Sequence, residues 1–204
     1  ERTAGGEVAM SGKPSKKNIA IAKHAISVFG GVPRILAYSH DHSELTVDLL
    51  SCTDEKADTV SYSTVRLSDH TLRLNNKKSA LGVELAAVSK HDDAVFPSIV
   101  VGCAFQIMKS GILPTPGDCI ENILLEFIPD AELKHVYLTA PFPWDEELNS
   151  LYVGGKSIAW LMLVPITDGE LDYKKRNGSD ALDELFESRG VAYQDTARSC
   201  LIRR

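Results

Sequence analysis

Two histidines separated by one residue are the first side chains in this sequence whose types and spacing could do chemistry. His40 and His42 flank Asp41. Histidines at positions i and i+2 of a strand share one face, so this pair could hold a metal ion with a third ligand from elsewhere. Together with a distant carboxylate, the same residues could serve a hydrolase. A polar turn between two strands is the remaining interpretation, because serines and a glutamate surround the group.

Three consecutive carboxylates form the second candidate group. Asp145, Glu146 and Glu147 could act in acid–base catalysis or bind a cation. Consecutive residues of a loop point in different directions, which favours a solvated acidic loop instead. The sequence contains neither a Gly-x-Ser-x-Gly nucleophile motif nor a glycine-rich phosphate-binding loop. The residue types therefore give no complete catalytic site.

The aromatic segment Pro-Phe-Pro-Trp at 141–144 directly follows a predicted strand. Prolines cannot continue a hydrogen-bonded ladder, so the chain leaves the sheet at this point. It could then expose Phe142 and Trp144 beside a sheet edge, which is the geometry of a peptide groove. The alternative is that Trp144 and Trp160 both pack in the core. The two interpretations are compatible, since one face of each ring can pack inward.

The charge of the chain is unevenly distributed. The 204 residues have a formal net charge of −6, which argues against a general nucleic-acid binder. Residues 118–187 contain 15 acidic and 5 basic residues, whereas the rest of the chain contains the remaining 13 acidic and 17 basic residues. This segment, with a net charge of −10, would attract cationic partners. A purely solubilising role explains the acidic helix residues equally well, among them Asp180, Asp183, Glu184 and Glu187.

Length and composition are those of one globular domain, with 44% hydrophobic and 25% charged residues. No apolar run approaches the ~20 residues of a membrane span, and the first residues lack the apolar core of a signal peptide. The four cysteines form no Cys-x-x-Cys pair. We expect them to be reduced, with Cys52 and Cys103 in or near the core of a cytoplasmic protein. We expect residues 1–12 to be a disordered leader and 13–204 to form the domain.

The elements that must position these groups are four helices and a series of β-rich runs. Helical spacing predicts helices that begin near 15, 94, 167 and 179 and end at glycines, and Thr167 with Glu170 has the spacing of a capping box. The first half predicts an antiparallel meander, with runs at 34–39, 45–52 and 60–67, followed by a hairpin in which 72–74 and 81–88 flank the turn 75–78. Further strands are predicted at 120–128, 135–140, 148–153, 157–166 and 199–202. The fold class is therefore α+β, a single domain with a mixed, largely antiparallel sheet flanked by about four helices.

Six short segments follow one another in a characteristic order. They are GD at 117–118, HVYLTAPFPW at 135–144, WLMLVPIT at 160–167, Glu170, NGSDAL at 177–182 and DTARS at 195–199. In order and spacing they resemble the bacterial branch of the suppressor of fused domain family. GVEL at 82–85 is similar to a strand of that family and extends the resemblance over most of the chain.

The resemblance implies a binding protein without enzymatic activity, cofactor or metal. In animals the domain belongs to a protein that restrains zinc-finger transcription factors of the Hedgehog pathway by gripping a short peptide. Bacterial members are regarded as immunity proteins that neutralise secreted polymorphic toxins. This chain has room for one such domain and lacks the second domain that closes over the peptide, so we expect the bacterial role.

We therefore expect stoichiometric binding of a protein, either a basic toxin or a peptide segment, with no nucleic acid and no membrane involved. The oligomeric state stays open, and a hydrolase or a scaffolding protein is the alternative. The predicted partner-binding residues are Phe142, Trp144, Asp145, Glu146, Glu147 and Glu170.

Overall fold

The computed structural model describes residues 6–8 and 14–202, with the backbone alone at 6–8, 145 and 146. The helices are α1 (Lys16–Phe29), α2 (Phe96–Ser110), α3 (Asp168–Asn177) and α4 (Ser179–Arg189). The strands are β1 (Gly6–Val8), β2 (Val32–Ser39), β3 (Thr46–Asp54), β4 (Thr59–Thr64), β5 (Arg73–Leu74), β6 (Lys77–Lys78), β7 (Leu81–Lys90), β8 (Cys119–Ile120), β9 (Leu133–Thr139), β10 (Leu151–Val153) and β11 (Lys156–Thr167).

One nine-stranded sheet organises the molecule. Its order is β1-β2-β3-β4-β7-β11-β9-β8, and β10 pairs with the first residues of β11. Neighbouring strands are antiparallel except for β7 and β11, which run parallel at the centre. β7 is buried from residue 82 to residue 89, as expected for a central strand that is covered on both faces. The α+β class, the single domain and the mixed, largely antiparallel sheet are thus confirmed.

Alternation along the strands divides the apolar side chains between the two faces of this sheet. On β7, Val83 and Leu85 join the core beneath α2, whereas Ala86 joins the core beneath α1. On β11, Met162 points to a third core beneath α3 and α4. The sheet is therefore a middle layer, with α2 on one face and α1, α3 and α4 on the other.

Local sequence signals fix the ends of the helices. The Ser15 side chain accepts a hydrogen bond from the Asn18 N–H and begins α1, and Gly30 ends it. At α3, the Thr167 hydroxyl accepts from the Glu170 N–H while the Glu170 carboxylate accepts from the Thr167 N–H, which confirms the predicted capping box. Gly111 and Gly190 end α2 and α4 in the left-handed conformation.

Two predicted strands and one predicted hairpin differ from the structure. The strand predicted at 120–128 stops at Ile120, because Asn122 adopts a left-handed conformation with φ of 61° and a 3-10 helix follows. The hairpin predicted at 72–88 closes between β5 and β6, and β7 pairs with β4 and β11 instead. Residues 199–202 form no strand, because Arg198 and the backbone N–H of Leu201 bind the side chain of Glu170.

All four cysteines are free thiols, as expected, and Cys52 and Cys103 are buried. Of the described helices, none is long and apolar enough to cross a membrane. The predicted leader 1–12 lies outside the described residues except for Gly6–Val8, which pair with β2. Its disorder stays a prediction.

Candidate partner-binding groove

A groove of about 730 Å³ opens where β9 ends and α4 packs against it. One wall is formed by Thr139, the last residue of β9, by Ala140 after it, and by Phe142, the first residue of the 3-10 helix that follows. The other wall is α4 and the chain that leaves it. The elements meet here because the prolines at 141 and 143 turn the chain out of the sheet beside the α3–α4 pair.

Four carboxylates of α4 line the groove. They are Asp180, Asp183, Glu184 and Glu187, whose i, i+3, i+4, i+7 spacing places them on one helix face. Leu182 and Phe186 anchor the same helix in the core over Tyr137 and Met162. Of the described residues that line the groove, none is basic. The groove therefore has an acidic wall whose charge no lining residue compensates.

Asp183 is held in place by two hydroxyl groups of β9. Tyr137 Oη donates to Asp183 Oδ2 at 3.1 Å, and Thr139 Oγ1 donates to Asp183 Oδ1 at 3.2 Å. Burial raises the pKa of the Tyr137 hydroxyl, and the nearby Asp183 charge raises it further. Tyr137 therefore stays protonated and acts as a donor. A carboxylate can accept about four hydrogen bonds, so Asp183 retains acceptor capacity toward a ligand.

Two aromatic rings form the apolar end of the groove. Phe142 and Tyr193 meet edge to face with ring centroids 5.2 Å apart, and Phe142 is 40% exposed. Phe186 and Val191 add buried apolar surface to the lining. Burial raises the pKa of the Tyr193 hydroxyl. The groove thus combines an exposed aromatic ring with buried apolar side chains, a composition that protein interfaces also have.

The predicted aromatic anchors have different positions. Phe142 lines the groove, as the peptide-groove interpretation requires. Trp144 is half-buried and packs on Phe29 of α1 with ring centroids 4.7 Å apart. Trp160 is buried, and its indole N–H donates to the Ser63 hydroxyl at 2.9 Å. Both tryptophans thus contribute to packing, and Phe142 presents its ring to solvent.

The predicted acidic residues are only partly brought together. Asp145, Glu146 and Glu147 lie in the 3-10 helix Phe142–Leu148, and the side chains of Asp145 and Glu146 lie outside the described residues. Glu147 is exposed and does not line the groove.

Glu170 requires a correction, because its side chain has no exposed surface and cannot contact a partner. Its two carboxylate oxygens accept hydrogen bonds from both terminal nitrogens of Arg198, at 2.7 and 2.9 Å, and from the backbone N–H groups of Thr167 and Leu201. Arg198 also donates to the carbonyl of Pro165. Glu170 therefore fixes the C-terminal segment against α3 and β11.

Sequence reasoning did not single out Val191 and Tyr193. They enter the groove because the chain after α4 returns to the sheet, where the Lys90 N–H donates to the Gln194 carbonyl and the Lys90 ammonium binds Asp195. The four α4 carboxylates were recognisable from sequence, since helical spacing places them on one face of α4 and the apolar Leu182 and Phe186 on another.

His135 and Asp168 lie within hydrogen-bond distance, as in a catalytic dyad, but both ring nitrogens of the histidine already form hydrogen bonds within the fold. The backbone N–H of Asn122 donates to Nδ1 at 2.9 Å, so Nε2 carries the proton and donates to Asp168 at 2.8 Å. Asp168 also binds Lys134, and both hydrogen bonds lower the pKa of its carboxyl group. His135 is buried, and its hydrogen bond to Asp168 connects β9 to the first residue of α3.

His40, Asp41 and His42 form the polar turn between β2 and β3. His40 Nδ1 accepts from the His42 N–H at 3.1 Å, and its ring packs edge to face on Phe105. Burial, followed by the charge of Lys109, lowers the pKa of His40. A cavity of about 290 Å³ beside this histidine is lined by Glu121 and Glu126 among others. Among the described residues, no group of three histidines, cysteines or carboxylates is placed to hold a metal ion.

Comparisons with known proteins agree on one family. The family model described as "Suppressor of fused protein (SUFU)" matches residues 43–199. The chain is 31% identical over 189 residues to "Immunity protein YqcF" of Bacillus subtilis (strain 168), which covers 92% of this chain and 98% of the relative.

Two solved structures share the fold. A suppressor of fused homologue of Neisseria gonorrhoeae has a TM-score of 0.69 at 15% identity and covers 92% of this chain and 98% of its own. The structure described as the Sufu-Fu complex has a TM-score of 0.66 at 14% identity and covers 93% of each chain. The family match spans most of the chain, including α4 and the segments that line the groove. This chain therefore belongs to the suppressor of fused family.

Proposed function

We propose that this chain is a protein-binding module that neutralises a toxin by stoichiometric occlusion in the cytoplasm. The observation that carries the proposal is the groove between β9 and α4, which combines an exposed aromatic ring with an uncompensated acidic wall. Apolar anchors surrounded by complementary charge are what protein–protein recognition uses. The relative named as an immunity protein and the relative that forms the Sufu-Fu complex support a protein as the ligand.

The same geometry favours binding over hydrolysis. His135, which pairs with Asp168, uses both of its ring nitrogens in hydrogen bonds within the fold, so neither nitrogen is free to take a proton from a substrate. Burial raises the pKa of the Cys52 thiol to about 11 and raises that of Cys103 further, so neither thiol is ionised at neutral pH. A mechanism that blocks the toxin surface requires none of these groups to react.

Co-expression tests the proposal. Secreted-toxin domains of the source genome are expressed one at a time in a susceptible host, with and without this chain. We expect growth to be restored against one toxin, with which the chain then co-purifies at equal molar amounts. Rescue by this chain without a stable complex would contradict occlusion, and failure to rescue against every lethal domain would contradict the toxin assignment.

A further inference from the structure

The apolar end of the groove offers aromatic surface to a side chain of a ligand. The rings of Phe142 and Tyr193 stand nearly perpendicular, at 84°, beside Val191. Long basic side chains bury their methylene stems on such surfaces while the charged group remains in contact with water or polar groups. An arginine additionally stacks its planar guanidinium on an aromatic ring.

The acidic wall lines the same groove as this apolar end. Asp183 is oriented by Tyr137 and Thr139 before any ligand arrives, so binding to it costs little ordering entropy. Glu184 and Glu187 are exposed and free to adjust. A fixed carboxylate with adjustable neighbours suits the forked donor geometry of a guanidinium.

Among the residues that the structure describes, no basic side chain lines the groove and neutralises its carboxylates. Arg198 lies 6.0 Å from the centre of the Phe186 ring, which also lines the groove. Its guanidinium is committed to Glu170 and to the Pro165 carbonyl, however. The acidic wall is therefore available to a cation from outside the chain.

We infer that this groove takes an arginine side chain of the partner protein, with its stem on Phe142 and Tyr193 and its guanidinium on Asp183 and Glu184. The inference rests on the proposed function and names the partner chemistry of the same site. Lysine fits less well, because its compact ammonium is strongly hydrated and cannot bind a carboxylate through two parallel hydrogen bonds. An acidic segment is excluded by like-charge repulsion.

Titration with short peptides tests the inference directly. The ¹⁵N-labelled chain is titrated with blocked tripeptides Gly-Xaa-Gly, in which Xaa is arginine, lysine or glutamate. We expect saturable amide shifts at Thr139, Phe142, Glu184 and Tyr193 with the arginine peptide, an affinity about threefold lower for lysine, and no binding of glutamate. Equal affinities for arginine and lysine, or shifts confined to other surfaces, would overturn the inference.

Two variants of equal charge provide the control. Glu184→Gln removes a groove carboxylate, and Glu55→Gln removes an exposed carboxylate from the turn between β3 and β4, three strands away from β9 in the sheet. We expect Glu184→Gln to weaken arginine binding about three- to fivefold and Glu55→Gln to leave it unchanged. Equal effects would mean that only the net charge matters, which overturns the site.

The same variants separate this inference from the proposed function. If the chain neutralises a toxin and Glu184→Gln binds that toxin as tightly as wild type, the arginine site is wrong while toxin neutralisation stands. If the arginine peptide binds as described and no toxin is neutralised, the proposed function is wrong while the arginine site stands.

Discussion

At the scale of single residues, the buried pair of Glu170 and Arg198 joins the C-terminal segment to α3. Both carboxylate oxygens of Glu170 accept hydrogen bonds, from Arg198 and from the backbone N–H groups of Thr167 and Leu201. Removing one partner of a buried ion pair leaves the other charge without compensation, which costs far more than the pair contributes relative to an apolar replacement.

We therefore expect Glu170→Gln to lower the free energy of unfolding by about 3 kcal/mol or more. Arg198 would keep its charge in a buried position and lose its counterion. Urea denaturation followed by circular dichroism measures the change. Glu187→Gln, which removes an exposed carboxylate, is the matched control and should change stability by less than about 0.5 kcal/mol. Similar stabilities for the two variants would refute the structural role of Glu170.

A second buried carboxyl group makes stability depend on pH. Glu84 is fully buried, and burial raises its pKa above the ordinary 4.5 although Thr64, Leu67 and Ser68 donate hydrogen bonds to it. A raised pKa means that the folded state binds a proton more tightly than the unfolded state. The tighter proton binding of Glu84 therefore contributes fully to the free energy of unfolding below the unfolded pKa, and this contribution is lost as the pH rises through the folded pKa.

We expect the free energy of unfolding of the wild type to fall more steeply above pH 4.5 than that of Glu84→Gln, which cannot titrate. Chemical denaturation at a series of pH values gives both curves. The difference between the two curves should level off once the pH exceeds the folded pKa. Parallel curves throughout would show that Glu84 has an ordinary pKa.

At the scale of elements, the start of α3 shows how a local sequence pattern sets a helix end. The Thr167 hydroxyl caps α3 and also donates to the Cys200 sulfur at 3.0 Å. We expect Thr167→Ala to cost about 1 kcal/mol and Thr167→Ser to retain most of the stability, because serine keeps the hydroxyl. Thermal and urea unfolding measure both variants. Equal destabilisation by alanine and serine would assign the effect to the lost methyl group instead.

The same scale explains which parts of the fold could be predicted from sequence. Helix ends and the antiparallel meander from β2 to β4 depend on residues close together in the chain, so their patterns predict them. The end of β8 depends on Asn122, whose N–H binds His135, 13 residues away, and the path of residues 199–202 depends on Arg198, which binds Glu170, 28 residues away. The apolar runs at 120–128 and 199–202 have the composition of strands. No local pattern reveals that His135 binds the backbone N–H of Asn122 and that Glu170 binds that of Leu201.

The candidate groove was predictable only in part for the same reason. Phe142 and the acidic face of α4 are recognisable from prolines and from helical spacing. Tyr193 and Val191 reach the groove through contacts of the returning chain with Lys90 and Asp93, which are distant in sequence. Burial of Glu170 was not predictable, because its charge alone is equally typical of a surface residue.

At the scale of the whole molecule, the uneven charge has a physical role in the proposed function. Residues 118–187 carry a net charge of −10, and part of that charge lines the groove on α4. Such a surface accelerates encounter with a cationic partner, and the effect weakens with ionic strength. The sheet positions this surface, since α4 packs on it through Leu182 and Phe186.

The central claim, neutralisation by occlusion, is tested most directly by titrating a fixed amount of the cognate toxin with this chain and measuring the residual toxin activity. Occlusion predicts a linear loss of activity that ends at one chain per toxin. Complete loss of toxin activity at amounts of chain far below one per toxin would show turnover, and would contradict the account.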